Sequence, residues 1–404
     1  MGGSLKKYSG TILPLFAFLT IGVGGELMSQ ERSSRRADGK INRRAIQGPG
    51  DRVPVSREGL DLSVVTSIAY DDNIFQNAED EISSIVVQLE PSISWTVGKK
   101  DETWVSIAYE GSAVAYLSQS DDNRIDHRIE VEGAVKRDKV SLAYTARWAR
   151  LGNPSADIGG TSDRNEWDGR IAAIYRPKGK LSYEIFAEFS ADDQIDPAFF
   201  DFFESSAGIA ARYHYSPKTE VEVAYRLGQV DVDGSGEQTF HQFGGEFFWQ
   251  PRSKLTISLE GGLEYRDYVS GSGLDPYLSA RITWNPRKKT SFFFEAYRRE
   301  DASATFEGEN IDVTGFRLGA SQVLRGGWTA GVEVGRETLD YFGVTGLPET
   351  GREDTIIFFR PTLRYSISED AALTFLYQWS QNDSNDPAFG FDNNQFGVSV
   401  NYRF

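Results

Sequence analysis

Histidine and cysteine are the residues where a search for chemistry begins, and this chain has few of them. It contains three histidines, His127, His214 and His241, and no cysteine. The histidines fall on separate predicted strands, and none sits in a nucleophile motif such as G-x-S-x-G or a metal spacing such as H-E-x-x-H. Without cysteine there is no disulfide framework, thiolate metal site or thiol nucleophile. We therefore expect no cofactor, no metal and no enzymatic activity.

Glutamate and arginine at alternate positions of predicted strands are the residues that could act on a solute. Side chains two residues apart point to the same face of a strand, so these charges would line one face. In a water-filled lumen such charges stay hydrated at little free-energy cost, whereas on a lipid-facing surface each would destabilise the barrel. They could form cross-strand ion pairs that stiffen the wall, or a lining that selects ions, and the sequence leaves both open. The candidate lumen charges are Glu184, Glu188, Arg212, Glu222, Arg226, Glu246, Glu260, Glu264, Arg266, Arg281, Arg317, Arg360 and Arg364.

Carboxylates concentrate in the longer connections between these strands. The nine predicted long loops contain 26 Asp and Glu residues against three Arg residues. An acidic outer mouth could share divalent cations with lipopolysaccharide phosphates or repel anions, although loop solubility explains the same residues. The candidate outer acidic rim comprises Asp71, Asp72, Asp80, Asp192, Asp193, Asp196 and Asp201.

The elements that must position these charges have a period of two from Leu60 to the last residue. Val221, Val223 and Tyr225, for example, alternate with Glu222 and Ala224. Long and short connections follow one another in succession, as in outer-membrane barrels with extracellular loops and periplasmic turns. The sequence therefore predicts an all-β fold, a transmembrane antiparallel up-and-down β-barrel of about 18 strands over residues 59–404. The predicted strands are 60–70, 82–97, 103–117, 125–137, 139–150, 167–177, 180–190, 205–216, 219–230, 239–250, 253–267, 275–285, 289–300, 311–323, 327–340, 354–366, 371–381 and 393–404.

Aromatic residues lie at both ends of nearly every predicted strand, where barrels place girdles at the two lipid interfaces. The predicted periplasmic girdle is Trp95, Trp104, Tyr175, Tyr215, Trp249, Trp284, Trp328 and Tyr365. The predicted outer girdle is Tyr70, Tyr116, Trp148, Trp167, Phe189, Tyr225, Tyr265, Tyr341 and Trp379.

The overall charge limits the partners that this protein can have. The formal net charge is −16, and nucleic-acid binding needs the opposite, a clustered excess of Lys and Arg. We therefore expect no nucleic-acid partner.

The first 58 residues differ from the rest of the chain. Residues 1–25 contain Lys6 and Lys7 followed by an apolar run, Thr11 to Val23, which predicts a signal peptide. The alternative is a retained membrane anchor, although the run is shorter than the ~20 residues that a spanning helix needs. Residues 26–58 are polar and arginine-rich without apolar periodicity, which predicts a disordered basic periplasmic segment. A basic run of this kind is usually just solvated, and binding of its arginines to anionic lipid or an acidic partner is the alternative.

The C-terminus ends in Val398-Ser399-Val400-Asn401-Tyr402-Arg403-Phe404, with apolar residues at every second position and phenylalanine last. This pattern resembles the signal by which bacterial barrel-assembly machinery recognises its clients. We expect Tyr402 and Phe404 to carry that signal and the barrel-assembly machinery to be a partner.

The first predicted hairpin carries a second resemblance. Tyr70-Asp71-Asp72-Asn73-Ile74-Phe75 is followed by an acidic loop and then by Leu89-Glu90-Pro91-Ser92-Ile93. This resembles the outer-membrane β-barrel porin type 2 family, which includes barrels encoded with exopolysaccharide clusters. The resemblance implies a barrel in the bacterial outer membrane, in contact with its lipid and lipopolysaccharide.

Two functions are compatible with these features. The first is a passive or weakly cation-selective porin-like channel, because a barrel of this strand number can leave an aqueous lumen. The alternative is an accessory or structural barrel of an exopolysaccharide export system, with polysaccharide or periplasmic export proteins as partners.

Overall fold

The computed structural model of the protein describes residues 59–99, 102–234, 236–346 and 349–404. The predicted signal peptide, 1–25, and the predicted basic segment, 26–58, lie outside the described residues. No helix in the described ranges has the length and hydropathy of a membrane span.

Nearly all of the described chain is β-strand, because its side chains alternate between apolar and polar with a period of two. Two very short strands and one 3₁₀ turn at Ser120–Asp122 lie in the loops. The strands are β1 Gly59–Asp71, β2 Ser84–Gly98, β3 Thr103–Tyr116, β4 Arg124–Arg137, β5 Val140–Leu151, β6 Pro154–Ser155, β7 Gly160–Thr161, β8 Arg164–Tyr175, β9 Leu181–Gln194, β10 Phe202–Ser216, β11 Thr219–Val232, β12 Gly236–Arg252, β13 Leu255–Tyr268, β14 Gly271–Arg287, β15 Thr290–Ala302, β16 Glu309–Val323, β17 Trp328–Gly343, β18 Glu353–Ser366, β19 Ala371–Ser384 and β20 Phe391–Arg403.

Eighteen of these strands form one closed antiparallel sheet. Each strand pairs with its neighbours along the chain, β5 pairs with β8, and β1 pairs with β20 to close the ring. The closing ladder runs from Ser63 opposite Arg403 to Asp71 opposite Gln395. The predicted barrel and its strand number are therefore confirmed. The strands β6 and β7 pair only with each other, inside the loop between β5 and β8.

The two faces of the sheet differ in polarity along each strand. In β11, Val221, Val223 and Leu227 are exposed to between 43% and 54% on the outer face, whereas Glu222 on the opposite face is buried. Because every backbone polar group on a lipid-facing strand must bond to a neighbouring strand, a closed sheet with an apolar outer face suits a membrane. The outer face is therefore the lipid-facing surface, and the inner face lines the lumen.

Connections at one end of the barrel, here called the loop end, are mostly longer than those at the other, the turn end. The predicted alternation of long and short connections fails at one place, because only Val269 and Ser270 connect β13 to β14 at the loop end. Both strands extend beyond their predicted ends, and Tyr268 pairs directly with Gly271. In barrels of this kind the longer loops face outward and the short turns face the periplasm.

Prolines in the turn-end hairpins produce bulges rather than interrupting the sheet. The β12–β13 register shifts between Trp249 and Arg252, on either side of Pro251, and the β14–β15 register shifts between Trp284 and Arg287. A bulge admits the extra residue, and proline at that position has no N–H to leave unpaired. Each of these strands, which run toward the turn end, therefore has its last aromatic side chain on the outer face, just before the bulge.

Most of the predicted girdle residues project outward, including Trp95 and Trp284, which are about half exposed. Three predictions were wrong. Trp104, Tyr116 and Tyr341 are buried on the lumen face. The reason is the register of the sheet, which pairs each of them with an inward position of a neighbouring strand. An aromatic at a strand end can serve either face, and only the register decides which one.

The loop end should face the outside of the cell. Asp80 and Asp196 are exposed there, and Lys178 is exposed in a turn at the opposite end. Because the chain has no cysteine, Asp80→Cys, Asp196→Cys and Lys178→Cys each give a single labelling site. In intact cells an impermeant maleimide should label the first two variants and not the third, while all three should label after lysis. Labelling of Lys178→Cys alone in intact cells would reverse the topology.

Candidate functional site

All thirteen predicted lumen charges lie on strand positions that face the interior. The arginines and glutamates form ion pairs that run from strand to strand around the wall. Arg226 contacts Glu188 at 3.3 Å and Glu204 at 3.5 Å, and Arg212 pairs with Glu222. On the far side, Glu295 joins Arg281 at 2.6 Å to Arg317 at 2.8 Å. The geometry thus brings the predicted charges together as cross-strand pairs, and their role in ion selection stays a prediction.

The charges on the wall from β8 to β13 are not balanced. In the described structure five arginines of this wall enter ion pairs: Arg164, Arg170, Arg212, Arg226 and Arg266. Nine glutamates face the same side: Glu166, Glu184, Glu188, Glu204, Glu220, Glu222, Glu246, Glu260 and Glu264. Glutamates outnumber arginines there, so the fixed charge of this wall is net negative.

The loop between β5 and β8, residues 152–163, is the most distinctive element of the loop end. Its two ends are held together by Arg164, which is fully buried. The guanidinium donates to the backbone oxygen of Asn153 at 3.1 Å, to Asn153 Oδ1 at 2.8 Å and to the backbone oxygen of Ser162 at 3.2 Å. The short strands β6 and β7 then make the loop a small hairpin. We call residues 152–163 the crossing loop.

The tip of the crossing loop docks on loops from the other side of the barrel. Asp157 accepts hydrogen bonds from Ser303 Oγ at 3.0 Å, Ala304 N at 2.7 Å and Tyr341 OH at 3.1 Å. Arg352 donates to the backbone oxygens of Ala156, at 2.6 Å, and Asp157, at 2.8 Å.

The order of strands shows that these contacts span the lumen. The loops β15–β16 and β17–β18, which receive the tip, each lie eight strands from the β5–β8 connection, counted in opposite directions round the eighteen-stranded ring. They therefore flank the point diametrically opposite the origin of the crossing loop. The crossing loop extends from one wall to the other at the loop end of the lumen.

An aromatic pocket completes the docking site. Phe306 and Tyr341 pack edge to face with ring centroids 5.8 Å apart. The guanidinium carbon Cζ of Arg352 lies 3.4 Å from the ring centroid of Phe389. Gly159 at the loop tip has φ +69°, and a Cβ there would lie 2.7 Å from Cδ1 of Phe389. Glycine is required here both for the backbone conformation and for the space. Phe389 comes from the loop β19–β20, so three loops together bind the tip.

A split in the sheet allows the β15–β16 hairpin to reach this docking site. The β14–β15 ladder stops where Leu278 faces Arg298, whereas β15 continues to pair with β16 as far as Ala302 opposite Asn310. Over 271–277, β14 pairs only with β13 in the described sheet, and Pro276 in this edge has no N–H to leave unpaired. Beyond Arg298 the hairpin is free of β14 and its tip contacts the crossing loop.

Two further loops turn inward beside the crossing loop. In the β1–β2 loop, the buried Ile74 packs with Val86, Val114 and Tyr116 of the inner wall. In the β9–β10 loop, Phe200 N donates to the backbone oxygen of Ala304 at 2.8 Å. The loop end of the lumen is therefore narrowed by several loops that contact one another.

The predicted acidic rim is only partly at the surface. Asp80, Asp193 and Asp196 are exposed, and Asp72 and Asp201 are half-buried. Asp71 and Asp192 are buried on the inner face, because β1 and β9 extend through them. Asp71 there accepts hydrogen bonds from Asn393 and Gln395, both at 2.7 Å. These two were wrongly predicted as rim residues, since strand ends are the least certain part of a sequence-based assignment.

The three histidines do not come together. His127 and His241 face outward on β4 and β12 and bond to Tyr109 and Tyr225 respectively. His214 faces the lumen near the turn end, where Nε2 lies 3.0 Å from Ser182 Oγ and Nδ1 lies 3.5 Å from Glu220. A serine, histidine and carboxylate in this order can serve nucleophilic catalysis, but an oxyanion site is also needed. We interpret the contact as part of the polar lumen wall, where Ser182 pairs in the β9–β10 ladder.

The C-terminal residues continue the seam between β20 and β1. Phe404 N donates to the backbone oxygen of Leu62 at 3.0 Å, and its ring packs edge to face on Tyr402, with centroids 4.9 Å apart. Both rings are exposed on the outer face. Their predicted role as an assembly signal stays a prediction.

Comparisons with known proteins return barrels of the outer membrane. Among solved structures, the chain is similar to OccK1 (OpdK) of Pseudomonas aeruginosa, at 12% identity over 85% of this chain and 98% of that chain, with a TM-score of 0.45. OpdQ of the same organism matches at 11% identity over 86% and 97%, with a TM-score of 0.47. The siderophore receptor PirA of Pseudomonas aeruginosa matches at 12% identity over 86% and 80%, with a TM-score of 0.41. No curated protein matches the chain.

A family model matches residues 264–404, which run from the end of β13 to the C-terminus. The family is described as "Putative beta-barrel porin 2". The first hairpin, on which the resemblance was based, lies outside the matched residues. Over these residues the match agrees with the predicted family, and the closed eighteen-stranded sheet with its apolar outer face is that of a porin-like β-barrel of the bacterial outer membrane.

Proposed function

We propose that this protein is a passive channel with a weak preference for cations, in which the crossing loop sets the width of the outer mouth. The observation that carries the proposal is the docking of Asp157 and Gly159 on loops from the opposite wall. A barrel of eighteen strands is wide enough for an aqueous lumen unless loops narrow it. An element anchored at both walls can limit solute size without blocking the charged wall beneath it.

The preference for cations follows from the distribution of carboxylates. The wall from β8 to β13 carries more glutamates than arginines, and exposed carboxylates such as Asp193 and Asp196 lie at the loop end. A fixed negative charge attracts cations over roughly a Debye length, ~8 Å at physiological salt. Because most lumen glutamates are paired with arginine, the expected preference is modest. We also propose that the protein acts as a channel rather than as an enzyme.

The alternative is an accessory barrel of an exopolysaccharide export system. The contacts among the inward loops favour it, because a lumen closed by its own loops needs a partner to open it. The two proposals differ in the conductance of the isolated protein.

Purified protein in planar bilayers should conduct, with a reversal potential that indicates a preference for K⁺ over Cl⁻ and that shrinks as salt rises. Asp193→Asn combined with Asp196→Asn should reduce this preference without unfolding the barrel, because both side chains are exposed. Asp71→Asn is an unsuitable variant, since Asp71 is buried and bonded to Asn393 and Gln395. A folded protein without conductance would exclude the open channel and favour the export-accessory barrel.

Gly159→Ala should increase the single-channel conductance. Alanine at φ +69° costs about 1–2 kcal/mol, a factor of roughly 5–30 in the docked population, before any clash with Phe389 is counted. Gly160→Ala is the matched control, because nothing lies within 4 Å of a Cβ at that position. Gly160→Ala should behave as wild type. Equal conductance of all three proteins would show that the crossing loop does not limit the pore.

Conductance should also fall on acidification. Burial raises the pKa of Asp157 above its usual value of 3.8, an effect that Arg352 only partly offsets. The docked loop therefore binds a proton more readily than the free loop, so docking is favoured below the raised pKa and weakens as the pH rises through it.

Asp157→Asn tests this pH dependence, because asparagine stays neutral and still accepts a hydrogen bond from Ala304 N. The variant should keep a low conductance as the pH rises above about 4, whereas wild-type conductance should rise as Asp157 loses its proton. Asp196→Asn, which removes an exposed carboxylate of a neighbouring loop, should retain the wild-type profile. A wild-type conductance that rises on acidification would contradict the assigned direction.

A further inference from the structure

Two arginines break the apolar pattern of the lipid-facing surface. Arg150 on β5 and Arg336 on β17 occupy outward positions and are exposed. Neither forms a hydrogen bond or an ion pair with another described residue. Arg298 on β15 also faces outward but contacts Asp312 at 2.5 Å. Within the described part of the chain the two arginine side chains therefore have no partner, which leaves both available to a ligand.

Their height along the barrel places both near the outer lipid interface. Arg150 is ten residues from Val140, which pairs with the girdle residue Tyr175 at the turn end. At about 3.4 Å per residue and a tilt of about 45°, this corresponds to roughly 24 Å along the barrel axis, close to the ~25 Å apolar band of such barrels. The same estimate for Arg336, eight residues from Trp328, gives roughly 19 Å. Arg150 therefore lies at the level of lipid headgroups.

The surroundings of Arg150 form a site rather than a single charge. Directly opposite it are His127 on β4 and Asn165 on β8. His127 Nδ1 lies 3.0 Å from Tyr109 OH, and when Tyr109 donates this bond, Nε2 carries a hydrogen and is a second donor. We call His127, Arg150 and Asn165 the lipid-face site.

Two tryptophans support the site from below. Trp148 and Trp167 lie one pair nearer the membrane centre, with ring centroids 6.0 Å apart. Tryptophan is favoured where an apolar region meets a polar headgroup region. Arg336 lacks such surroundings, because its cross-strand neighbours are Phe316 and Ile357.

One carboxylate must be considered as a competing partner. Asp193 Oδ2 accepts a hydrogen bond from Asn165 Nδ2 at 3.1 Å. Asp193 is on β9, two strands from β5, and neighbouring strands are about 4.8 Å apart, so it is roughly 10 Å from Arg150 across the sheet. Asn165 lies between them, and the Arg150 side chain is exposed on the outer face.

From this arrangement we propose that the lipid-face site binds a phosphate of lipid A in the outer leaflet. A guanidinium matches phosphate geometry and charge, and His127 adds a second donor at the same level. A charge at a lipid interface is tolerated when its head reaches the polar layer, and lipopolysaccharide places phosphates in that layer. The proposal rests on the loop end being outside and is independent of whether the lumen conducts.

The test measures binding of lipid A to the purified full-length protein in detergent, by native mass spectrometry. Arg150→Gln should weaken the binding at least about tenfold, as expected for loss of a charge-assisted phosphate contact. Arg336→Gln is the matched control, since it removes the same charge from the same face at a site with apolar neighbours, and should change the affinity less than about threefold. Thermal unfolding of both variants should match wild type, because neither arginine has a partner among the described residues.

Three comparisons identify the ligand. Dephosphorylated lipid A should bind to wild type about as weakly as lipid A binds to Arg150→Gln. Binding should survive chelation of divalent cations, because the contact is direct, and should be weaker for phosphatidylglycerol. Equal losses in Arg150→Gln and Arg336→Gln, loss of binding on chelation, or no loss on dephosphorylation would each overturn the proposal.

Discussion

The backbone hydrogen bond is the interaction on which the rest of this structure depends. In hydrocarbon an unpaired N–H or C=O costs several kcal/mol, so a spanning sheet must close on itself. Closure between β1 and β20 removes both edges and fixes the register of every strand in between. That register decides which side chains face the lumen, and hence where the charges lie. The cost of an unpaired backbone group also explains where the ladder between β14 and β15 is interrupted. The interruption lies near the loop end of those strands and includes Pro276.

Much of the fold could be predicted from the sequence, because its signal is local. A period of two over about 11 to 16 residues, with turn residues between, predicted all eighteen strands, and the lumen charges followed from the same alternation. The face of the sheet that a residue at a strand end occupies was harder to predict, as Trp104 and Tyr341 show. An aromatic side chain there is compatible with either the lipid face or the lumen face. Asp71 and Asp192 were misplaced because their strands extend one or more residues beyond the predicted ends.

The docking of the crossing loop could not be predicted, because its contacts are not local. Asp157 bonds to Ser303 and Tyr341, and Arg352 bonds back to Ala156, across about half the chain. Nothing in the sequence near Asp157 indicates these partners. The ring that requires glycine at position 159, Phe389, comes from a loop more than two hundred residues later. A sequence pattern gives the strand to which a loop is attached and not the surface on which it rests.

The crossing loop has a consequence for the order in which the molecule assembles. Its tip is held by residues from three loops that follow β15, β17 and β19, so the docking site exists only when nearly the whole chain is in place. Contacts between residues so far apart in sequence form late, after the entropy of closing the intervening chain has been lost. During insertion, therefore, the growing barrel should have an unobstructed bore, and the constriction should form as the final event of maturation. A barrel that stalls before β20 joins β1 would be a wider hole than the finished protein, which makes completion of the seam the step that protects the cell from its own folding intermediate.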